Sequence, residues 1–389
     1  QGLPWDLMAW SFWADRTGQS CTTTKSAAQL KQEAAVILSL GGGFQAYFNQ
    51  RRDGSPPVWL MPLMADVARF CRARQAVCHR AEAVPQVALL YSGKAFYRRT
   101  ERLFGSWDAP EILPLKGVLQ SLLDAQEAVE ITMEHHLSGR MAHYPLIVVP
   151  EWEYLDPPFV DELRSYVRGG GNLLLIGPRA AALFAPELQV QFDGQLQQGV
   201  RRWLAQSNTL AQGAELGGLM TDVQPVALLP GAKAWGALHN ASDPSSPTQA
   251  AGSIARYGAG RIAATYFNYG QAYSHGAMHR VRDYIHGLVR ELFPAPMVEV
   301  QGSHNVDVTV NRLGNRLAVN LVNTAGPHAD AEVHAFDEIP PVGPLQVKIR
   351  YGQRPRRVTL QPAGTEVDYA FNEGEITFTL PRLELHEII

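Results

Sequence analysis

Cysteine is scarce in this sequence, and its scarcity excludes two kinds of protein. The 389 residues contain three cysteines, Cys21, Cys71 and Cys78, which is too few for a disulfide framework or a cysteine-rich zinc site. Cys71 and Cys78 fall on one predicted helix, where a rise of ~1.5 Å per residue separates their Cα atoms by roughly 10 Å, beyond the reach of a disulfide. We therefore expect neither a disulfide-dependent fold nor a cysteine-based metal centre.

An excess of one charge and long apolar runs are also missing. The 34 Lys and Arg residues nearly balance 37 Asp and Glu residues, giving a net charge of −3, so no basic field exists to attract nucleic acid or an anionic membrane. No apolar run reaches the ~18 to 20 residues that span a bilayer, and no charged-then-apolar leader precedes a cleavage site. We expect a soluble chain, in the cytoplasm, the periplasm or outside the cell, with no nucleic-acid or membrane partner.

The hydrophobic content of 46% is ample for a large core, and the length suggests two or three domains. The chain starts with Gln1 rather than Met. This start suggests a processed product, an excised set of domains or a fragment of a longer protein.

The pattern of residues 1–83 predicts two strand–helix units. The apolar run Leu7–Trp13 has strand length, and a capping box formed by Ser26 and Gln29 opens a helix. A second short apolar run, Phe44–Phe48, precedes a long predicted helix over Val58–Arg80. Because two such units cannot bury both faces of a sheet by themselves, we predict that they are the end of something larger.

Residues 84–295 show short apolar strands alternating with amphipathic helices, which predicts a doubly wound parallel sheet. The stretch 187–253 has little pattern, and irregular loops with short strands are expected there. The run Ile254–Phe267 predicts a hairpin turned at Gly258–Gly260, and Ala277–Phe293 predicts a helix. Residues 296–389 consist of short alternating strands separated by turn residues, which is typical of a small antiparallel β-sandwich.

The doubly wound region lacks the motifs of several enzyme classes. An amidotransferase-like mechanism needs a Cys on a sharp turn after a strand, but no Cys follows Cys78, and the strand at Leu146–Pro150 is followed by Glu151. No serine elbow, P-loop or dinucleotide fingerprint follows a strand either. The pairs His135/His136 and His275/His279 lack the context of a zinc site. We therefore predict no metal and no cofactor.

Aromatic residues cluster near the amino end of the sequence. In a (β/α)8 barrel the active site lies at the carboxyl ends of the strands, where this sequence places Phe12 and Trp13 on one strand and Asn49 and Gln50 after the next. Aromatic faces with neighbouring amides are typical of a carbohydrate-binding surface. These four residues are our candidate substrate-binding residues. The alternative is that the rings fill a barrel interior, which we favour for Trp10.

These pieces resemble a known family in their order. The runs W-D-L-M-A-W-S-F-W, K-S-A-A-Q-L-K-Q-E-A-A and G-G-G-F-Q-A-Y-F-N-Q resemble the last units of the barrel in bacterial α-L-fucosidase-like and β-galactosidase-like glycoside hydrolases. In those relatives a flavodoxin-like domain related to glutamine amidotransferases, the β-galactosidase trimerisation domain, follows the barrel, and a β-sandwich follows that domain. The resemblance implies a partial (β/α)8 barrel remnant over 1–83, the flavodoxin-like domain over 84–295 and the antiparallel sandwich over 296–389.

The same resemblance implies a carboxyl-terminal portion of an enzyme that hydrolyses O-glycosidic bonds of a carbohydrate substrate, assembled as a homo-oligomer. Glycoside hydrolysis uses two carboxyl groups, and in such barrels at least one lies on strands that would precede Gln1, so the catalytic residues are unknown here. Asp6 lies at the wrong end of its strand and Asp15 in a loop, so neither is a candidate nucleophile. The alternative is a non-catalytic carbohydrate-binding or oligomerisation module.

Overall fold

A computed structural model describes residues 3–14, 22–100, 109–205, 216–243, 245–330 and 332–389. The chain divides into two compact units. One unit combines residues 1–84 with residues 297–389, and the other is residues 85–296. Among the described residues, no helix combines the length and apolar character needed to cross a bilayer.

The amino-terminal part of the first unit contains a short parallel sheet and two helices. Its elements are β1 (Asp6–Trp10), β2 (Phe12–Ala14), β3 (Thr22–Thr24), α1 (Ala27–Ser39), β4 (Gly43–Tyr47), α2 (Met61–Cys78) and β5 (Glu82–Ala83). β1 and β4 form a parallel pair, and β2 and β3 form an antiparallel pair. The predicted capping box is confirmed in part, because Ser26 Oγ accepts the Gln29 N–H at 3.0 Å.

The parallel pair of β1 and β4 exposes apolar side chains on both faces. Neighbouring residues of a strand point to opposite faces, yet Leu7 is 57% exposed and Met8 is 51% exposed. Strands of parallel sheets are normally covered on both faces. The pair therefore lacks its usual cover within the described residues, while its identity as part of a barrel stays a prediction.

The second unit is built on one nine-stranded sheet with helices around it. Its elements are β6 (Val87–Tyr91), α3 (Gly93–Arg99), α4 (Leu113–Asp124), β7 (Val129–Met133), α5 (Glu134–Leu137), β8 (Leu146–Pro150), α6 (Pro157–Arg168), β9 (Asn172–Ile176), α7 (Pro178–Ala182), α8 (Ala185–Leu188), β10 (Val190–Phe192), β11 (Gln197–Ala205), β12 (Gly217–Val223), β13 (Val226–Leu228), β14 (Ala232–His239), β15 (Thr248–Tyr257), β16 (Gly260–Thr265), α9 (Tyr269–His275) and α10 (His279–Leu292). The strand order is β12-β11-β14-β15-β16-β9-β8-β6-β7.

The parallel part of this sheet follows the predicted alternation of strands and helices. β7, β6, β8, β9 and β16 are neighbours that pair in parallel. Every residue of β8 is buried, as its uniformly apolar sequence predicts. The hairpin of β15 and β16 is also confirmed, with Tyr257 opposite Gly260 and the turn residue Gly258 at a φ of +64°.

The expectation of irregular loops with short strands over 187–253 holds for β10 and β13, which have three residues each, but is wrong where long strands form. β11, β14 and β15 have nine, eight and ten residues. The buried positions in the first part of β15 include the small residues Ala251, Gly252 and Ser253, so this part of the strand carries no conspicuous apolar signal. Small residues are required there because a Cβ on Gly252 would lie 2.4 Å from the Ala264 carbonyl oxygen.

The closing part of the chain forms antiparallel sheets, as its pattern predicts. Its strands are β17 (Val298–Gln301), β18 (Val306–Leu313), β19 (Arg316–Asn323), β20 (Leu345–Arg350), β21 (Thr359–Leu360), β22 (Thr365–Glu366), β23 (Ala370–Asn372), β24 (Glu375–Leu380) and β25 (His386–Ile388). Two four-stranded sheets have the orders β17-β20-β24-β23 and β25-β19-β18-β5. Because β5 belongs to the amino-terminal part, the second sheet joins both ends of the sequence.

Buried side chains also join the amino-terminal helices to the closing strands. Gln32 Nε2 on α1 donates to the carbonyl oxygens of Asn323 at 2.8 Å and Ala325 at 3.0 Å. Arg74 on α2 donates to the His386 carbonyl oxygen at 3.0 Å. Residues 1–84 and 297–389 therefore share buried polar contacts as well as a sheet.

Candidate functional site

The four predicted substrate-binding residues lie where β1 and β4 end. Phe12 and Trp13 lie on β2 and are partly buried, whereas Asn49 and Gln50 follow β4 and are exposed. The buried Ser11 connects β1 to β2, and its N–H donates to the Tyr47 carbonyl oxygen at 2.9 Å. This hydrogen bond continues the pairing of β1 with β4 one residue beyond Trp10, the last paired residue of β1. It brings β2 beside the end of β4.

Phe12 belongs to an exposed cluster of three rings with Trp10 and Tyr47, here called the aromatic cluster. The Phe12 ring centroid lies 5.3 Å from that of Trp10 and 5.9 Å from that of Tyr47. Trp10 is 55% exposed and Tyr47 is 38% exposed. The Tyr47 hydroxyl lies 3.5 Å from Gln50 Oε1, so one predicted amide reaches the cluster. Apolar ring faces beside an amide can stack on a sugar ring and hydrogen-bond its hydroxyls.

Trp13 does not belong to this cluster. Its ring stacks on the imidazole of His334 with a centroid distance of 3.7 Å and an interplanar angle of 5°. Phe12 and Trp13 are consecutive on a strand and point to opposite sides, which explains why they have different neighbours. The structure thus brings Phe12 and Gln50 together through Tyr47 and places Trp13 at a second position.

Sequence reasoning missed His334. It lies more than 300 residues beyond Trp13 in the sequence, in a segment without regular structure. No periodicity or motif around His334 indicates a contact with β2. The contact is seen only in the folded structure, where the segment that contains His334 packs on β2.

The aromatic cluster has no nearby pair of acidic side chains in the sequence that forms it. Residues 7–14 and 44–52 contain neither Asp nor Glu. Asp6 lies at the amino end of β1, where its carboxylate accepts a hydrogen bond from Gln45. Asp15 lies outside the described residues. Among the described residues, no cluster of three or more His, Cys, Asp or Glu side chains could hold a metal ion.

The turn after β8 in the second unit holds a buried acid where an amidotransferase-like mechanism would require a thiol. Glu151 has a φ of +31°, so its backbone is strained as in a sharp elbow. Its Oε1 accepts the N–H groups of Gly270 at 2.5 Å and Gln271 at 3.1 Å. Burial raises the pKa of Glu151 to about 7, against the lowering effect of these two donors. The carboxyl group therefore holds the start of α9 rather than facing a substrate.

Glu153, two residues later, has the opposite electrostatic environment. Burial alone would raise its pKa, but the hydrogen bond and charge of Arg99 lower it below the ordinary value. Arg179 lies 3.4 Å from the same carboxylate. Glu153 therefore belongs to an ion-pair group with Arg99 and Arg179.

Comparison with known proteins supplies the context for this geometry. No known protein family matches the sequence, and no curated protein matches it. Solved structures do match over nearly the whole chain. α-L-Fucosidase isoenzyme 2 from Paenibacillus thiaminolyticus aligns with 98% of this chain at 16% identity and a TM-score of 0.80. The fold is glycoside hydrolase-like.

Two β-galactosidases extend the comparison. The enzyme from Bacillus circulans sp. alkalophilus aligns with 99% of this chain at 11% identity and a TM-score of 0.66. A catalytic mutant of a GH42 β-galactosidase from G. stearothermophilus aligns with 95% at 11% identity and a TM-score of 0.64. This chain spans 59% of the fucosidase and 55% and 52% of the two β-galactosidases. The glycoside hydrolase-like fold of this chain therefore corresponds to little more than half of each structure.

Proposed function

We propose that this chain is the carboxyl-terminal portion of a glycoside hydrolase of the α-L-fucosidase-like type, which hydrolyses O-glycosidic bonds. The observation that carries the proposal is the fucosidase alignment, which uses 98% of this chain but 59% of that protein. A longer parent protein would supply the remaining elements. In this proposal the catalytic carboxyl pair lies on residues that precede Gln1.

The exposed β1–β4 pair supports a position at the end of a barrel. Two parallel strands with outward-facing apolar side chains on both faces need further strands and a filled interior to be covered. The proposal assigns these strands to the last units of a (β/α)8 barrel. The aromatic cluster would then lie at the carboxyl ends of the strands, where such barrels bind substrate, with Phe12, Trp13, Asn49 and Gln50 as the sugar-binding residues.

The second unit has a non-catalytic role in this proposal. Numbered by their order in the chain, its five parallel strands lie in the order 2-1-3-4-5, which is the flavodoxin-like order. The elbow carries Glu151, whose carboxylate is hydrogen-bonded to the backbone of α9. We assign this unit to assembly of a homo-oligomer, in the manner of a β-galactosidase trimerisation domain.

The test is to read the coding sequence upstream of Gln1 and to express the longer chain beside residues 1–389. We expect about six additional strand–helix units with acidic residues at strand ends, hydrolysis of an aryl α-L-fucoside by the longer chain, and none by residues 1–389. Turnover by residues 1–389 alone would show that the acids are present in this chain. A longer chain that cleaves no aryl glycoside would contradict the proposal.

The second candidate is a stand-alone carbohydrate-binding or oligomerisation module without chemistry. The lack of any Asp or Glu in residues 7–14 and 44–52 favours it. An upstream sequence without strand–helix units, together with sugar binding or self-association by residues 1–389, would select this candidate.

A further inference from the structure

The Trp13–His334 pair is a nearly ideal parallel stack inside the first unit. At 3.7 Å between centroids and 5° between planes, the imidazole covers one face of the indole. Aromatic pairs usually prefer offset-stacked or edge-to-face arrangements with ring centroids about 4.5–7 Å apart, so this pair is closer than is usual. The position of His334 therefore calls for an explanation in the segment that carries it.

Three hydrogen bonds hold the His334 segment against the start of α1. Gln29 Nε2 donates to the His334 carbonyl oxygen at 3.4 Å, and Gln29 Oε1 accepts the Phe336 N–H at 3.4 Å. Ser26 Oγ donates to the Phe336 carbonyl oxygen at 2.5 Å. Gln29 is buried, with 7% of its surface exposed. The backbone from the His334 carbonyl to Phe336 is thus hydrogen-bonded to the first turn of α1 and its N-cap.

We propose that His334 is a positioning residue for a carbohydrate bound at Trp13, covering one face of the indole and fixing its plane so that a sugar ring stacks on the opposite face. This inference rests on the proposed function, and it adds a residue from the closing segment to the site. A free indole rotates about two side-chain bonds, and ordering it on binding costs affinity. A ring held in place before binding avoids that cost.

The fixed backbone favours this role over that of a lid. A lid would have to leave the indole when the sugar arrives, and moving the segment would break its hydrogen bonds to Ser26 and Gln29. A backing residue stays in place in both states. It follows that His334 acts through Trp13 and that its ring shape, rather than its charge, carries the effect.

Sugar titrations of residues 1–389 test the inference, with L-fucose and D-galactose as probes and ligand-observed NMR as the readout. We expect His334→Ala to raise the dissociation constant about 3- to 10-fold, whereas His334→Phe, which keeps a flat ring, retains binding within about 2-fold of the wild type. His328→Ala is the matched control. His328 is an exposed histidine near the same segment that stacks on Phe336 rather than on Trp13, so binding should be unchanged.

Thermal unfolding of each variant separates positioning from folding. Should His334→Ala lower the melting temperature, His334→Leu restores side-chain volume without a flat face, and the same loss of affinity is expected. The inference would be overturned if both His334→Ala and His334→Leu bound sugar with wild-type affinity. Wild-type affinity in Trp13→Ala would also overturn it. In either case, sugar binding by the wild type would leave the proposed function intact. Failure of the wild-type chain to bind either sugar would count against sugar recognition by these residues, and the inference would fall with it.

Discussion

Glu151 Oε1 accepts the backbone N–H of Gly270 at 2.5 Å, across 119 residues of sequence. The same oxygen accepts the N–H of Gln271, so one carboxyl group ties the end of β8 to the first turn of α9. These donors favour the charged carboxylate, but burial opposes them more strongly and raises the pKa of Glu151 from 4.5 to about 7. The protonation state of the Glu151 carboxyl group therefore changes in the neutral pH range.

The raised pKa of Glu151 gives a prediction with a definite sign. The Glu151 carboxyl group binds its proton more tightly in the folded protein than in the unfolded chain. Its contribution to the free energy of unfolding is therefore fully present below pH 4.5 and is lost as the pH rises through about 7. The group should cost up to roughly 3 kcal/mol of unfolding free energy above pH 7. Glu151→Gln keeps an oxygen acceptor but does not titrate, so its melting temperature should fall less than that of the wild type between pH 5 and pH 8.

Glu153→Gln is the matched control for this experiment. The pKa of Glu153 is lowered, with the Arg99 interaction outweighing burial, so its contribution to stability is lost as the pH falls below about 4.5. Between pH 5 and pH 8 this variant should follow the wild-type slope with a constant offset. Parallel wild-type and Glu151→Gln curves over that range would contradict the assignment.

The buried hydrogen bonds of Gln32 give a second prediction, about the first unit. Gln32→Ala leaves the carbonyl oxygens of Asn323 and Ala325 without their donor, and an unsatisfied buried group costs about 1–3 kcal/mol. We expect denaturant unfolding to detect a loss of this size. Gln75→Ala, on an exposed position of α2, should change the unfolding free energy by less than about 0.5 kcal/mol. Equal effects of the two variants would show that the contact between α1 and the closing strands contributes nothing.

A third prediction concerns thiol reactivity. Cys78 is fully buried, and burial raises the pKa of its thiol to about 12, so almost no reactive thiolate exists at pH 8. In a Cys21→Ser, Cys71→Ser background, a disulfide reagent should label Cys78 only after unfolding. Labelling of the native protein within minutes would mean that this part of the first unit opens readily.

Much of the second unit could be predicted from sequence because its signals are local. The strand β8 is a continuous apolar run, and the turn at Gly258 punctuates a hairpin. By contrast, the first part of β15, residues 248–253, escaped prediction because close packing selects Ala, Gly and Ser at its buried positions. Apolar periodicity does not reveal a strand whose buried positions require small residues.

The candidate site shows the same limit more sharply. The carboxyl-end position of Phe12 and Gln50 follows from strand order and could be predicted. The Trp13–His334 stack could not, because a contact over more than 300 residues has no local pattern. The interpretation of Trp10 as a ring inside a barrel stays a prediction, because Trp10 is exposed on a strand that pairs with β4 in a two-stranded sheet. The exposure of a side chain depends on what packs against its strand, and the sequence of the strand alone does not determine this.

The final prediction concerns the aromatic cluster itself. Trp10 is 55% exposed and contacts Phe12 and Tyr47, so Trp10→Ala removes stacking surface but little buried area. Under the proposed function this variant should raise the dissociation constant for L-fucose about 10-fold or more, since aromatic contacts contribute ~0.5–1.5 kcal/mol beyond the area they bury. Its melting temperature should stay within about 2 °C of the wild type, because surface substitutions change stability little.

Trp59→Ala is the matched control for Trp10→Ala. Trp59 is 66% exposed and lies on the short 3-10 helix Val58–Leu60, outside the aromatic cluster. Its loss removes a comparable exposed ring, so fucose affinity should not change. Equal weakening by both variants would indicate nonspecific association of the sugar with exposed indoles, and a large fall in melting temperature for Trp10→Ala alone would assign that ring to the core instead of to substrate binding.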